Sequence, residues 1–362
     1  MNRRLFGYAL VAAGLMLGTP STASPKRALP SFVAGGDVSL LTAMESQGIV
    51  YKIDGKPVDA LQAMKSAGMN CARLRLWVQP SHEGVIINDL PYTIALGRRV
   101  KKAGLLLLLD IHYADTWADP GKQPKPATWA NLPVDKLTST VHDYSRDVIS
   151  AMRTAGAMPD IVQVGNEIIG GMLWPDGKTW GAGHDFTNLG KFLKSGIQGV
   201  KDGSGKSTPP LIMIHIDRGG DWKGTQWFFD GIKAQGVTFD IIGESYYPVF
   251  HGPLSGLKET LTNASARYHK PIIVVETAYP YKPDGRSNSK AMTYPKTPEG
   301  QLQFLKDVTA TVRQAPGGLG RGVVYWEPEW LPTKGYGGSW DTTALFDDNG
   351  NALPALYGMK GR

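Results

Sequence analysis

Short apolar runs alternate with longer amphipathic segments along this chain, and this alternation constrains the fold more than any other feature of the sequence. Runs of strand length, rich in β-branched residues or leucine, are each followed by a segment long enough for a crossover helix, which is the pattern of a parallel sheet. The runs lie at Phe32 to Val38, Met69 to Leu76, Leu105 to Asp110, Ile161 to Val164, Leu211 to Ile216, Phe239 to Ser245, Ile272 to Glu276 and Gly322 to Trp326. They number eight, as in a closed (β/α)8 barrel.

Amphipathic segments beside these runs predict helices at Pro57 to Ala67, Tyr92 to Ala103, Val134 to Thr154, Thr187 to Lys201, Thr225 to Gln235, Leu254 to Tyr268 and Glu299 to Gln314. Several are followed directly by glycine, a residue that commonly ends helices. An open doubly wound sheet would need a glycine-rich phosphate-binding turn after its first strand, and the segment GGDVSLL lacks that spacing. We therefore predict an α/β fold, a single-domain (β/α)8 TIM barrel over residues 24–362.

The amino terminus has the pattern of a secretory signal peptide. Arg3 and Arg4 precede an apolar run from Leu5 to Leu17, and small residues follow at Ser21 and Ala23. The run is shorter than the roughly 20 apolar residues of a membrane span. We predict a signal peptide over residues 1–23, a secreted or periplasmic protein, and no membrane association after cleavage.

Cysteine content and charge exclude several other classes of protein. Cys71 is the only cysteine among 362 residues, so an intramolecular disulfide and a thiolate metal site are both ruled out. Its apolar surroundings predict a buried, inert thiol. The formal net charge is +7, but the basic residues are scattered and form no nucleic-acid-binding module, so we expect no nucleic-acid partner.

Polar and acidic residues accumulate where the predicted strands end, and two glutamates stand out among them. Glu167 follows the run IVQVG and Glu276 ends the run PIIVV. In a closed barrel the ends of the fourth and seventh strands face each other across the mouth. Hydrolysis of a glycosidic bond needs such a pair, one carboxylic acid and one carboxylate. Either Arg73 or Arg75 could keep Glu276 ionised, and the competing interpretation is that one glutamate only pairs with a barrel arginine.

Other strand-end residues favour sugar binding over metal or serine chemistry. Most of the tryptophans lie in predicted loops after strands, where their faces could pack on sugar rings. Asp110, His112 and Asp115 could be metal ligands, but no second histidine follows at ligand spacing, so we expect hydrogen bonds to sugar hydroxyls and no metal. Ser245 and His215 lack the G-x-S-x-G elbow of a serine hydrolase.

Long segments resemble the arabinogalactan endo-β-1,4-galactanases of glycoside hydrolase family 53, a family of retaining barrel enzymes. The resemblance runs in order through GGDVSLL, ARLRLW, LLDIHYADTWADPGKQ, VQVGNEIIGGMLWPDG, IHID, FDIIGESYYPVFHG, IIVVETAYPY, VVYWEPEW and WDTTALFDDNG. It implies endo-hydrolysis of β-1,4-galactan or arabinogalactan, with Glu167 as proton donor and Glu276 as nucleophile. Two alternatives stay open at this point: another endo-glycanase of the same clan that acts on mannan or β-glucan, and a non-catalytic polysaccharide-binding protein. It also implies that Asn166 bonds the sugar 2-hydroxyl and that Arg73 or Arg75 lies beneath the nucleophile.

The same resemblance implies a set of residues that line the substrate cleft: His112, Tyr113, Asp115, Asp217, Ser245, Tyr246, Trp326 and Trp340. No organic cofactor is implied, and we expect a monomer. Some members of the family bind calcium in the long loops after the last strands. Here the loop from Lys282 to Pro298 has Asp284 as its only acidic residue, so calcium is not expected there. The loops near Asp341 and Asp347 remain a possible location for a calcium site. Glu244 departs from the small residue that the family usually has before SYYP, and it could alter a subsite or pair with an arginine.

Overall fold

Eight parallel strands close into a barrel in the computed structural model, which describes residues 27–284, 289–334, 336 and 340–361. Each strand pairs with the next along the chain, and the last pairs with the first. The strands are β1 (Val33–Asp37), β2 (Cys71–Leu76), β3 (Leu106–Ile111), β4 (Ile161–Val164), β5 (Leu211–Ile216), β6 (Ile241–Ser245), β7 (Ile272–Thr277) and β8 (Gly320–Tyr325). All eight predicted strands are confirmed, and their ends differ by no more than two residues.

The helices surround this barrel. They are α1 (Leu41–Ser46), α2 (Ala60–Ser66), α3 (Leu90–Ala103), α4 (Val134–Thr154), α5 (Phe186–Gly203), α6 (Trp222–Ala234), α7 (Pro248–His251), α8 (Leu254–Tyr268) and α9 (Pro298–Arg313). The seven predicted helices are confirmed, whereas the short helices α1 and α7 were not predicted. The predicted starts of α2 and α6 are displaced the most, by three residues, because aspartates cap these helices: Asp59 accepts from the Gln62 amide and Asp221 from the Gly224 amide.

Smaller elements lie in the connections. Two hairpins pair Lys52–Ile53 with Lys56–Pro57 and Gly171–Met172 with Gly177–Lys178. 3₁₀ turns lie at Ala127–Trp129, Ile168–Gly170, Pro316–Gly318 and Pro354–Tyr357. The predicted signal peptide over residues 1–23 lies outside the described residues. No helix among the residues described here has both the length and the apolar character needed to cross a membrane.

Apolar side chains fill the amino-terminal part of the barrel and the layer between strands and helices. The interior cluster contains Val33, Cys71, Leu108, Met213 and Val275 among others, all fully buried. Each such side chain contributes on the order of 1.5–3 kcal/mol by leaving water. Cys71 is buried as predicted, and burial raises the pKa of its thiol, so the thiol stays protonated and unreactive. The carboxyl end of the barrel is filled by charged and polar side chains instead.

Candidate active site

A cavity of about 760 Å³ opens at the carboxyl ends of the strands, where enzymes of this architecture have their active sites. Its wall combines acidic, amide and aromatic side chains from several βα loops: Val85, Trp117, Ala118, Asp119, Pro120, Lys122, Asn166, Glu167, Asp217, Tyr247, Phe250, His251, Glu276, Trp326, Trp330 and Trp340. Both predicted glutamates therefore face the same space. A concave site with apolar walls and a few convergent polar groups is typical of a small-molecule or sugar site.

Glu167 lies just past the end of β4, with its backbone in the left-handed region at φ 48°. The Ser245 hydroxyl donates to Glu167 Oε1 over 2.7 Å. Burial raises the pKa of Glu167 well above its ordinary value, and the negative charge of Glu276 raises it further. This carboxyl therefore retains a proton at neutral pH, as a general acid must.

Glu276 lies on β7, directly opposite Ser245 in the strand register. Arg73 Nη1 lies 2.8 Å from Glu276 Oε1, and the Tyr247 hydroxyl donates to Oε2 over 3.1 Å. Burial raises the pKa of Glu276 to about 7, while the Arg73 guanidinium opposes that rise. Because Glu276 has a guanidinium partner and Glu167 has none among the residues that the structure describes, the proton that the pair retains resides on Glu167.

His215 on β5 orients Ser245 behind the acid. Its Nε2 lies 2.8 Å from the Ser245 oxygen, and its Nδ1 lies 2.9 Å from Gln163 Nε2. Burial lowers the pKa of His215 well below its ordinary value, so the ring is neutral. Since Gln163 donates to Nδ1, the proton of the ring lies on Nε2, which donates to Ser245. The ring thus fixes the direction in which Ser245 donates to Glu167.

Arg73 connects Glu276 to the other buried polar side chains at the carboxyl end of the barrel, which we call the polar layer. Its guanidinium nitrogens lie 2.9 Å from Asp37 Oδ2 and 2.8 Å from Asp110 Oδ2, in addition to Glu276. It also donates to Asn166 Oδ1 over 2.9 Å. Although burial alone would raise the pKa of Asp110, Arg73 and the contact with His112 lower it overall. Arg73 is therefore held by two further carboxyl groups while it contacts Glu276.

The sequence left open whether Arg73 or Arg75 contacts Glu276, and the structure pairs Arg75 with Glu327 instead. Its guanidinium donates to Glu327 and lies 4.6 Å from the centroid of the Trp117 ring. Burial raises the pKa of Glu327 to about 7, although Arg75 opposes this. Of the two arginines, Arg73 contacts Glu276, and Arg75 supports the aromatic wall of the cavity.

Four other predicted residues face the cavity as expected from the sequence: Asn166, Asp217, Trp326 and Trp340. The Asn166 side-chain amide donates to the Ala118 carbonyl over 2.9 Å, which fixes its orientation. Asp217 pairs with Arg218 over 2.8 Å, and burial raises the pKa of Asp217 to about 6. Asn166 and Asp217 place polar atoms at the wall, and the two tryptophans add apolar faces.

Two predicted tyrosines do not line the cavity. Tyr113 is buried beneath it, and its hydroxyl contacts Ser145 Oγ of α4 over 2.8 Å. Tyr246 is also buried and donates to the Gly252 carbonyl over 3.0 Å. Both placements in the cleft were wrong, because successive residues at a strand end point in opposite directions. Ser245 and Tyr247 take the inward positions on either side of Tyr246.

His112 and Asp115 contact protein groups rather than the cavity. His112 Nε2 lies 2.9 Å from Asp110 Oδ2, and its Nδ1 accepts from the Ala118 amide over 3.3 Å. Asp115 accepts from the backbone amides of Gln79 and Ala127, over 2.9 and 2.8 Å. His112 therefore supports the layer below the cavity, and Asp115 holds two loops together; neither belongs to the cavity wall.

Glu244 pairs with backbone and hydroxyl groups rather than with an arginine side chain. It accepts from the Arg218 amide over 3.1 Å, and Thr225 Oγ1 lies 3.0 Å from its other oxygen. Burial raises the pKa of Glu244 well above its ordinary value, so the side chain is neutral. This contact holds the segment that carries Asp217 into the cavity.

Sequence reasoning missed several residues of the site, above all Tyr247, which donates to Glu276. Phe250 and His251 were also omitted, Trp117 and Trp330 were not assigned as specific contacts, and His215 was considered only for serine chemistry. Strict alternation after Ser245 would have identified Tyr247 as inward-facing. The loop residues Phe250 and His251 have no comparable signal, because α7 places them.

Three carboxylates near the last strands are paired with lysines or backbone amides. Lys296 Nζ lies 2.6 Å from Asp284 Oδ1, and Lys282 Nζ lies 2.6 Å from Asp348 Oδ1. Asp347 accepts from the backbone of Asn349 and Asn351. Hard cations need several convergent oxygen ligands. In the part of the chain that the structure describes, no group of three or more acidic, histidine or cysteine side chains has that arrangement.

Comparisons with known proteins identify the family of this chain. The sequence model described as glycosyl hydrolase family 53 matches residues 33–359. An arabinogalactan endo-beta-1,4-galactanase A of Aspergillus niger is 37% identical over 323 residues, which cover 86% of this chain and 89% of that protein. An uncharacterized protein of Niallia circulans is 42% identical over 349 residues, covering 91% and 94%. A solved fungal beta-1,4-galactanase is 35% identical with a TM-score of 0.82, covering 90% of this chain and 98% of its own.

Proposed function

This chain belongs to glycosyl hydrolase family 53, and on that premise we propose that it hydrolyses internal β-1,4-D-galactosidic linkages in galactan and arabinogalactan. The observation that carries the proposal is the pair formed by Glu167 and Glu276. The two glutamates line one cavity, and their neighbouring groups favour opposite protonation states. Burial and the charge of Glu276 favour a protonated acid at Glu167, whereas Arg73 and Tyr247 favour a carboxylate at Glu276. Galactanases among the relatives support this choice of sugar.

We propose a retaining mechanism in two steps. In the first, Glu276 attacks the anomeric carbon as Glu167 gives its proton to the glycosidic oxygen, which breaks that bond and leaves a galactosyl ester on Glu276. In the second, ionised Glu167 takes a proton from water, and the resulting oxygen displaces Glu276 from the anomeric carbon. Two inversions leave the β-configuration unchanged.

The remaining wall residues would bind and orient the sugar chain. Asn166 is placed to bond a 2-hydroxyl, with its side chain fixed by Arg73 and the Ala118 carbonyl. Trp326, Trp340 and other aromatic side chains of the wall offer apolar faces to galactosyl rings.

Galactan side chains of pectin are the proposed natural substrate. Export through a signal peptide over residues 1–23, to the periplasm or outside the cell, fits a polymeric substrate, and a monomer suffices for this site.

The direct test replaces each glutamate by its neutral amide. Glu276→Gln and Glu167→Gln should each lower kcat on linear galactan by at least about 10²-fold, while thermal unfolding stays close to that of the parent. Glu259→Gln, a change at an exposed position on α8, is the matched control and should keep full activity. Near-parental rates for either variant would remove the assigned roles.

Two product measurements test the substrate and the stereochemistry. Release of reducing ends from galactan, with arabinan, mannan and β-glucan as controls, should occur on galactan alone. NMR of the first products should show the β-anomer before mutarotation. Preferential cleavage of mannan or β-glucan would contradict the proposed substrate, and an initial α-anomer would contradict retention.

A further inference from the structure

Trp180 is an exposed aromatic side chain held on a rigid support outside the catalytic cavity. It is 52% exposed, an unusual state for a tryptophan. The Thr179 amide donates to the Gly170 carbonyl over 3.1 Å, and its hydroxyl donates to the Ile169 carbonyl over 3.1 Å. These bonds join the segment to the 3₁₀ turn after Glu167, so the backbone that bears Trp180 is fixed.

A second tryptophan and a lysine complete this surface. The Trp174 ring stands at 84° to that of Trp180, with centroids 6.3 Å apart, and its Nε1 donates to the Gly170 carbonyl over 2.8 Å. Lys178 Nζ lies 4.0 Å from the Trp180 centroid and 4.9 Å from that of Trp174. The three side chains, Trp174, Lys178 and Trp180, form what we call the Trp180 surface. About half of the Trp180 side chain is exposed beside the Lys178 ammonium, which is a hydrogen-bond donor.

A small cavity adjoins this surface and supplies further polar groups. Its volume is about 280 Å³, and Pro175, Asp176, Lys178, His184 and Asn188 are among its lining residues. Asn188 donates to the Asp176 carbonyl over 2.9 Å, and Lys125 pairs with the Asp176 carboxylate over 2.8 Å. These polar groups are therefore held in place before any ligand binds. A fixed aromatic face beside fixed polar groups is a combination suited to a sugar residue.

The Trp180 surface is attached to the wall of the catalytic cavity. The Trp174 amide donates to the Gln123 carbonyl over 2.7 Å, and the Gln123 side chain donates to the Asn166 carbonyl over 2.8 Å. The segment just before Gln123 supplies Asp119, Pro120 and Lys122 to the cavity wall. The surface therefore lies on the carboxyl face of the barrel, beyond the wall that these residues form.

We propose that the Trp180 surface is a second binding site for galactosyl residues of the polysaccharide that the catalytic cavity cleaves. The inference rests on the proposed function, because it takes the same polymer as ligand. A site outside the cavity would hold a long polysaccharide near the enzyme between successive cleavages and so increase its affinity. A short oligosaccharide that fills only the cavity would bind no more tightly. Loss of Trp180 should therefore raise KM on the polymer and leave kcat/KM on a short oligosaccharide unchanged.

The test uses the full chain with Trp180→Ala, Trp180→Phe and, as matched control, Trp227→Ala. Trp227 is 43% exposed on α6, where it packs on Phe186. Binding is measured in the Glu276→Gln background by electrophoresis through gels containing linear galactan. Trp180→Ala should bind on the order of tenfold more weakly, as expected for loss of an aromatic anchor. The affinity of Trp180→Phe for galactan should lie between those of the parent and Trp180→Ala, and Trp227→Ala should match the parent.

Hydrolysis assays separate failure of this inference from failure of the proposed function. If the active parent cleaves galactan but Trp180→Ala and Trp227→Ala are retained equally, the Trp180 surface is not a sugar site and the catalytic proposal stands. If Trp180→Ala loses activity equally on the polymer and on a short oligosaccharide, its effect lies in the catalytic cavity and the inference is overturned. If the active parent cleaves no galactan and its Glu276→Gln form is not retained, both proposals fall.

Discussion

Replacing Ser245 by alanine should raise the pH at which activity declines on the alkaline side. Ser245 donates its hydroxyl to Glu167 Oε1 over 2.7 Å, a bond that favours the ionised carboxyl. A hydrogen bond to a charged group contributes about 1.5–3 kcal/mol. At about 1.36 kcal/mol per pKa unit, its loss should raise the pKa of the acid by roughly one to two units. The acid would then keep its proton to higher pH.

The assay is the pH profile of kcat/KM on linear galactan for Ser245→Ala and its parent. Ser145→Ala is the matched control, because that buried serine on α4 contacts Tyr113 and lies away from the cavity. Its alkaline limb should coincide with that of the parent. An alkaline limb for Ser245→Ala that is unchanged, or displaced to lower pH, would refute the assigned hydrogen bond between Ser245 and the acid.

Three further predictions concern the nucleophile, the supporting carboxyl and metal dependence. Tyr247→Phe removes a donor to Glu276, so the pKa of the nucleophile should rise by about one unit and the acid limb of kcat/KM should move to higher pH; an unmoved limb would count against this contact. Glu244 has a raised folded-state pKa, so its stabilising contribution is complete below the unfolded value and declines as pH rises towards the folded one. Urea unfolding should therefore show Glu244→Gln gaining stability relative to the parent between about pH 4.3 and neutrality, and a gap constant with pH would contradict a neutral Glu244. Lysine partners occupy Asp284 and Asp348, so EDTA should leave Tm unchanged, and a fall reversed by calcium would show a cation site.

The barrel could be predicted from the sequence because its strands are fully buried, and full burial produces apolar runs that local composition reveals. The runs at Ile161 and Leu211 even give strand bounds that the structure reproduces. Helix starts at α2 and α6 were less accurate, because a capping aspartate ahead of the apolar pattern determines where each begins. Short helices such as α7 depend on loop geometry and have no periodicity to detect.

The candidate site was predicted unevenly for a related reason. Glu167 and Glu276 terminate apolar runs, so their positions follow from strand ends alone. The choice between Arg73 and Arg75 could not be made from sequence, since both point into the barrel two residues apart and only the three-dimensional register places one beside Glu276. Tyr113 and Tyr246 were assigned by resemblance alone, although alternation from His112 and Ser245 predicts that they point away from the cavity.

The polar layer of the barrel explains how Glu167 could act as the acid while Glu276, a similar side chain, acts as the nucleophile. Within the part of the layer described above, the guanidinium groups of Arg73 and Arg75 face more buried carboxyls than they can neutralise. Protons must therefore remain on the carboxyls that have no guanidinium contact. Glu329 is one such carboxyl, because burial and the charge of Glu327 raise its pKa well above its ordinary value. Glu167 is another, and it lies in the wall of the cavity. An added cation near Glu167 would ionise it and remove the acid. The lack of an arginine beside Glu167 in the described part of the chain is therefore as necessary to the proposed mechanism as the presence of Arg73 beside Glu276.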